Sequence, residues 1–151
     1  MFNASYFTAQ SILTALWLMC FAAAVVIVES YFYQTVQLEG HLEPVRVLLE
    51  EKRPDVLVPV ISIYSAVIIA ILAFWFTKPF PAASTDSSRA IRRIIAIVCT
   101  ILFNAYIIYL LSRGYFNGFN SVDTTLAQAV SAAKWLAFLV TPVNIYYFGS
   151  K

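Results

Sequence analysis

The 151-residue chain has few of the residues that catalytic and metal chemistry most often uses. There is one histidine, His41, and there are two cysteines, Cys20 and Cys99, which form no CxxC pair. A single histidine excludes bis-histidine haem ligation within one chain. No Cys, His and Asp positions have the spacing of a metal site. Both cysteines fall inside apolar runs, where a thiol behaves as a small hydrophobe, so neither a disulfide framework nor thiol–disulfide exchange is indicated. The four glycines form neither GxGxxG nor GxxxxGK[ST], which excludes the common phosphate-cradling loops. His41 neighbours no nucleophile in sequence, and Glu39, Glu43, Glu50 and Glu51 sit among basic residues as a solvated face would. The expectation is a protein that is not an enzyme, with no catalytic residue, cofactor or metal.

Charge is also scarce. Charged residues make up 12% and hydrophobic residues 61%, where a soluble domain has about 25% and about 45–50%. The net charge of +2 is small and scattered, which argues against nucleic acid as a partner. So much apolar surface exceeds what a core of this size can bury, and a lipid bilayer is the solvent that accommodates it. The first ten residues, MFNASYFTAQ, contain no Lys or Arg and so lack the basic start of a cleaved signal peptide. The apolar run that follows is longer than a signal core, and reads as a retained first span.

Four such runs are present, at about 12–28, 56–76, 94–111 and 126–148. Each approaches the ~20 apolar residues that cross a hydrocarbon core of about 30 Å. The expected fold is all-α, a single integral membrane domain over 1–151 built as a four-helix bundle. Span one carries Ala22, Ala23 and Ala24, small enough for close helix approach, then Glu29 and an aromatic belt of Tyr31, Phe32 and Tyr33. In the first connection, 34–55, Pro44 is placed to open a helix with Val45, Leu48 and Leu49 on one face, and Pro54 to close it. A short amphipathic helix is therefore expected there. Pro59 falls in the first turn of span two, and Ser62 and Ser65 are expected to bond helix backbone. The segment KPFPAASTDSSRAIRR, 78–93, reads as a loop, with Arg89, Arg92 and Arg93 directly before span three.

A few polar groups stand at membrane depth. Thr100 and Asn104 share a face of span three, and an amide there needs a hydrogen-bond partner because hydrocarbon offers none. In span four, Gln128, Ser131 and Lys134 recur every third residue as a slanting stripe, and Pro142 lies deeper with Asn144 nearby. Lys134 is the one full charge well inside a span. An unpaired lysine at depth costs about 2.5–3.5 kcal/mol on insertion scales. It is eight residues into its span, roughly 12 Å, and Glu29 ends span one on the same side, so a Glu29–Lys134 contact is expected if spans one and four are neighbours. The candidate intramembrane polar site is Lys134, Gln128, Ser131, Asn104, Thr100 and Glu29.

An even number of spans puts both termini on one side. That side has Lys78, Arg89, Arg92, Arg93 and Lys151, against Arg46, Lys52, Arg53 and Arg113 on the other. The arginines adjacent to span three carry the most weight under the positive-inside rule, so both termini are expected in the cytoplasm. The ending Tyr146-Tyr147-Phe148-Gly149-Ser150-Lys151 resembles the tyrosine-then-Ser-Lys ending of small bacterial four-span membrane proteins of unknown function, with similar span spacing. Val143 stands where that resemblance would put a tryptophan. The resemblance implies the inner (plasma) membrane of a bacterium, and no activity.

Two functions fit these features. One is a non-catalytic accessory, assembly or interaction subunit that binds another membrane protein. The other is a homo-oligomeric channel or transporter unit with a path lined by Lys134 and the other polar groups. The direction in which Lys134 points separates them: a water-filled seam favours transport, and a snorkelling or Glu29-paired lysine in a dry bundle favours the partner role.

Overall fold

A computed structural model describes residues 4–36, 44–46, 50–77, 88–116 and 122–149. Four long helices dominate it: α1 (Ala4–Ser30), α2 (Arg53–Thr77), α3 (Ser88–Phe116) and α4 (Val122–Phe148). Each contains one of the expected apolar runs. Their apolar stretches are 24 to 27 residues long, or roughly 36–40 Å at the helical rise, enough to cross a bilayer core. In lipid, a helix is the way an isolated segment satisfies its own backbone polar groups, so long apolar sequence and helix go together.

The helices pack as an all-α bundle in which α1 lies against α2 and α3, and α4 lies against α2 and α3. The ring order is thus α1, α2, α4, α3, with α1 and α4 on one diagonal. Neighbours α1 and α3 run parallel, as do α2 and α4. The interior is built from Leu13, Trp17 and Val28 of α1, Val60, Tyr64 and Ile71 of α2, Phe103, Ile107 and Leu111 of α3, and Ala129 and Val140 of α4. Of the three small residues in α1, Ala24 alone is buried, and Ala22 and Ala23 face outward. Side chains tie the helices at their ends. Trp75 Nε1 donates to Thr14 Oγ1 at 3.0 Å. The Tyr31 hydroxyl donates to the Leu111 carbonyl at 2.6 Å. Buried Gln10 donates to the Tyr147 carbonyl at 3.0 Å, one of the last carbonyls of α4 that has no helical donor. Gly149 follows the helix, where a Cβ would collide with the Ile145 carbonyl.

Four expectations need correction. The first connection does not open a helix at Pro44: Val45–Arg46 is extended and pairs antiparallel with Thr35–Val36. The pairing partners lie nine and eleven residues back, beyond a local helical pattern, and β-branched residues such as Val36 and Val45 favour strand. Leu48 and Leu49 lie outside the described residues. Second, α2 begins at Arg53, so Pro54 is its first-turn proline and Pro59 is interior. Third, α3 begins at Ser88, so Arg89, Arg92 and Arg93 belong to the helix; charge marks the edge of the bilayer, and a helix can continue past it. Fourth, the belt after span one is split, with Tyr31 and Phe32 buried in a 3₁₀ turn and Tyr33 exposed.

Candidate functional site

The six candidate polar residues do not form one site. Thr100 and Asn104 face the interior, with 0% and 1% of their surfaces exposed. Asn104 Nδ2 donates to the Thr100 carbonyl at 2.9 Å, one turn back on its own helix, while Asn104 Oδ1 and Thr100 Oγ1 have no partner among the described residues. Gln128, Ser131 and Lys134 lie on the opposite side of the wall, exposed on the outer face of α4 beside Trp135 and Phe138.

Glu29 belongs to neither group. Its carboxylate pairs with Arg53 at 3.2 Å, and the Arg53 guanidinium also lies over the Phe32 ring at 5.3 Å. The expected Glu29–Lys134 contact is therefore not made. The reason is topological: spans one and four stand on a diagonal, and α2 brings a nearer cation. Ser62 and Ser65 donate to the Pro59 and Ser62 carbonyls at 2.7 and 3.3 Å, as expected for serines in an apolar helix.

Two grooves flank the outer stripe, and Ser131 lines both. One, between α3 and α4, has a volume of about 710 Å³, with apolar walls from Leu102, Tyr106 and Leu139 and a polar end at Arg113 and Gln128. The other, between α2 and α4, has a volume of about 400 Å³ and includes Asp55, Pro59, Asp123 and Lys134. Proline has no N–H, so Pro59 leaves the Asp55 carbonyl without its helical donor beside this groove.

The depth of Lys134 follows from the packing. The Phe74 and Phe148 rings meet at 5.7 Å, which puts Arg53 level with Ala127 of the parallel helix α4. Lys134 is then about seven residues, roughly 10 Å, deeper than the Glu29–Arg53 pair. It has no ion-pair or hydrogen-bond partner among the described residues. Arg113, Asp55, Asp123 and Trp135 were not singled out from the sequence. Arg113 counts in the sequence only toward orientation, and only the fold shows that these four share grooves with the stripe. His41 lies outside the described residues. Among those described, no three His, Cys, Asp or Glu side chains gather, and Cys20 and Cys99 are half-buried free thiols.

The outward side chains define the class of protein. Met19, Phe76 and Trp135 are 70%, 85% and 79% exposed, and large apolar groups point away from the bundle on all four helices. A water-soluble bundle hides such groups, and lipid is the solvent that suits them. With four apolar spans, the chain is a small multi-pass membrane protein. Comparison with known protein families, curated proteins and solved structures finds no match.

Proposed function

We propose that the protein is a non-catalytic accessory or assembly subunit that docks another membrane protein through the outer face of α4. The observation that carries this reading is the outward stripe of Gln128, Ser131 and Lys134, lying in the apolar zone without partners among the described residues and set between two grooves. Polar groups in lipid gain when a neighbouring helix satisfies them, and small side chains such as Ser131 and Ala132 let that helix come close. The chemistry selects the partner: a transmembrane helix bearing a carboxylate at the depth of Lys134, with an amide or hydroxyl nearby for Gln128. Lys134 snorkels toward the boundary until that carboxylate arrives. No reaction is assigned to the protein. The proposed setting is the inner membrane of a bacterium, with both termini in the cytoplasm.

The alternative, a homo-oligomeric channel or transporter unit, needs a continuous polar path. Within one chain the bundle wall divides the candidate residues, so the path would have to run along a seam between copies. Extraction in mild detergent at native expression level separates the readings. The expected result is co-purification with a larger membrane protein, lost at least tenfold in Lys134→Leu while the variant stays folded. A complex made of this chain alone overturns the accessory reading and turns attention to ion flux in liposomes.

A further inference from the structure

The bundle interior holds a second set of polar groups, independent of the docking face. Trp17 of α1 packs against Tyr64 of α2, ring centroids 6.1 Å apart and nearly perpendicular at 78°. It also packs against Phe103 of α3 at 5.5 Å, and Phe103 is followed by Asn104. Trp17, Tyr64 and Thr100 are fully buried and Asn104 is 1% exposed. Each has a buried polar atom without a partner among the described residues: Trp17 Nε1, the Tyr64 hydroxyl, Thr100 Oγ1 and Asn104 Oδ1. Tyr64 is eleven residues from Arg53 and thirteen from Thr77, roughly 16–20 Å from either end of its helix. These orphans therefore lie near the mid-level of the bundle, where buried polar groups are almost always satisfied.

We propose that this interior is a water-binding site, in which bound water links the Trp17 indole N–H to the Asn104 carbonyl oxygen, with the Tyr64 and Thr100 hydroxyls completing its contacts. The donor and acceptor types suit a molecule that does both. The indole N–H only donates, the amide oxygen only accepts, and the two hydroxyls do either. The Asn104 amide is oriented by its nitrogen, one N–H of which donates to the Thr100 carbonyl, so the oxygen and the second N–H are left for the interior. A metal cation suits the site poorly, since the indole N–H presents positive charge to it and no carboxylate is among the four. Water making two to four such bonds is the usual way a buried polar cluster is satisfied.

The test is nuclear magnetic resonance of the full chain in detergent micelles or nanodiscs, with ¹⁵N-labelled tryptophan. The chain has three tryptophans, Trp17, Trp75 and Trp135, and loss of one indole signal in Trp17→Phe assigns the resonance. The expected result is a direct cross-peak between the Trp17 indole proton and water in the wild-type protein. Its intensity should fall at least twofold in Asn104→Leu and in Thr100→Val, while the signal of Trp75, which donates to Thr14, keeps its position. A wild-type Trp17 indole with no water cross-peak overturns the proposal, and that measurement needs no folded variant. A cross-peak of unchanged intensity in both variants overturns it as well, because the water would then be held elsewhere.

Discussion

Glu29 and Lys134 are each a single charge at the edge of, or inside, an apolar helix, yet the fold treats them differently. Glu29 has a cation delivered to it: Arg53 begins α2 where α1 ends, and the two meet at 3.2 Å. Lys134 points away from the bundle, about 10 Å below that pair, and nothing in the described chain answers it. The difference explains why the first is read as structural and the second as a docking contact. The Glu29–Arg53 pair is only partly shielded, with 41% of the arginine side chain and 29% of the glutamate side chain exposed, so water and salt weaken it. Phe32 also holds the guanidinium when the carboxylate is gone. Glu29→Gln should therefore lower stability by no more than about 1 kcal/mol. Thermal unfolding in detergent, compared at low and high salt, checks this: the gap between wild type and variant should shrink as salt rises. A loss several times larger would mean that the pair anchors the α1–α2 end of the bundle.

The helices show how much of the architecture could be read in advance. Long apolar runs gave the number and order of the spans, because a segment crossing lipid has few alternatives to helix. Their ends were less legible. Arginines at 89–93 mark where the bilayer stops, but α3 continues to Ser88. The Val45–Arg46 ribbon depends on partners nine and eleven residues away, which no helical periodicity reveals. The hardest feature was which way each polar residue faces. In a soluble helix the polar stripe marks the outside, but here the core and the lipid are equally apolar, so spacing shows only which residues share a face. Gln128, Ser131 and Lys134 share a face by their spacing, and only the packing of α2 and α3 on α4 shows that this face points outward. Trp17 and Tyr64 give no site signal in the sequence, because ring area dominates their character, although each also carries one polar atom. Interior prolines provide a test of the helix description. Pro59 is the seventh residue of α2, and it both removes a helical donor and crowds the preceding turn. In a soluble helix interior this costs about 3 kcal/mol relative to alanine. The Asp55 carbonyl that it frees lies near the membrane boundary, so part of that cost is recovered by water. Pro59→Ala should stabilise the protein by about 1 kcal/mol, within that range, read as a higher unfolding midpoint. An unchanged or lower midpoint would show that the proline shapes the Asp55–Lys134 groove at no cost to the fold.

The ring order α1, α2, α4, α3 governs what the assembled bundle presents to each side of the membrane. Diagonal placement of α1 and α4 keeps Glu29 and Lys134 apart, and parallel packing of α2 and α4 brings Asp55 and Asp123 into the same groove as the lysine. This groove opens toward the end of the bundle marked by Glu29, Arg53 and Arg113. The opposite end holds the start of α3, where the Arg92 guanidinium sits 5.9 Å from the centre of the Tyr146 ring. Which end faces the cytoplasm decides where the proposed partner would carry its acid. The positive charges near span ends favour the α3 start as the cytoplasmic end. Lys134 would then lie in the outer half of the bilayer, and the matching carboxylate would lie within about two helical turns of the outer boundary of the partner helix. Two single-cysteine variants, made with Cys20 and Cys99 replaced by alanine, test the orientation. Tyr33→Cys tags the end beside Glu29, where Tyr33 is 76% exposed, and Ala90→Cys tags the exposed start of α3. A membrane-impermeant maleimide should label Tyr33→Cys in intact cells and Ala90→Cys only after lysis. The reverse pattern would place the arginines outside, move Lys134 to the inner half, and restrict the search for a partner to helices whose acid lies near their cytoplasmic end.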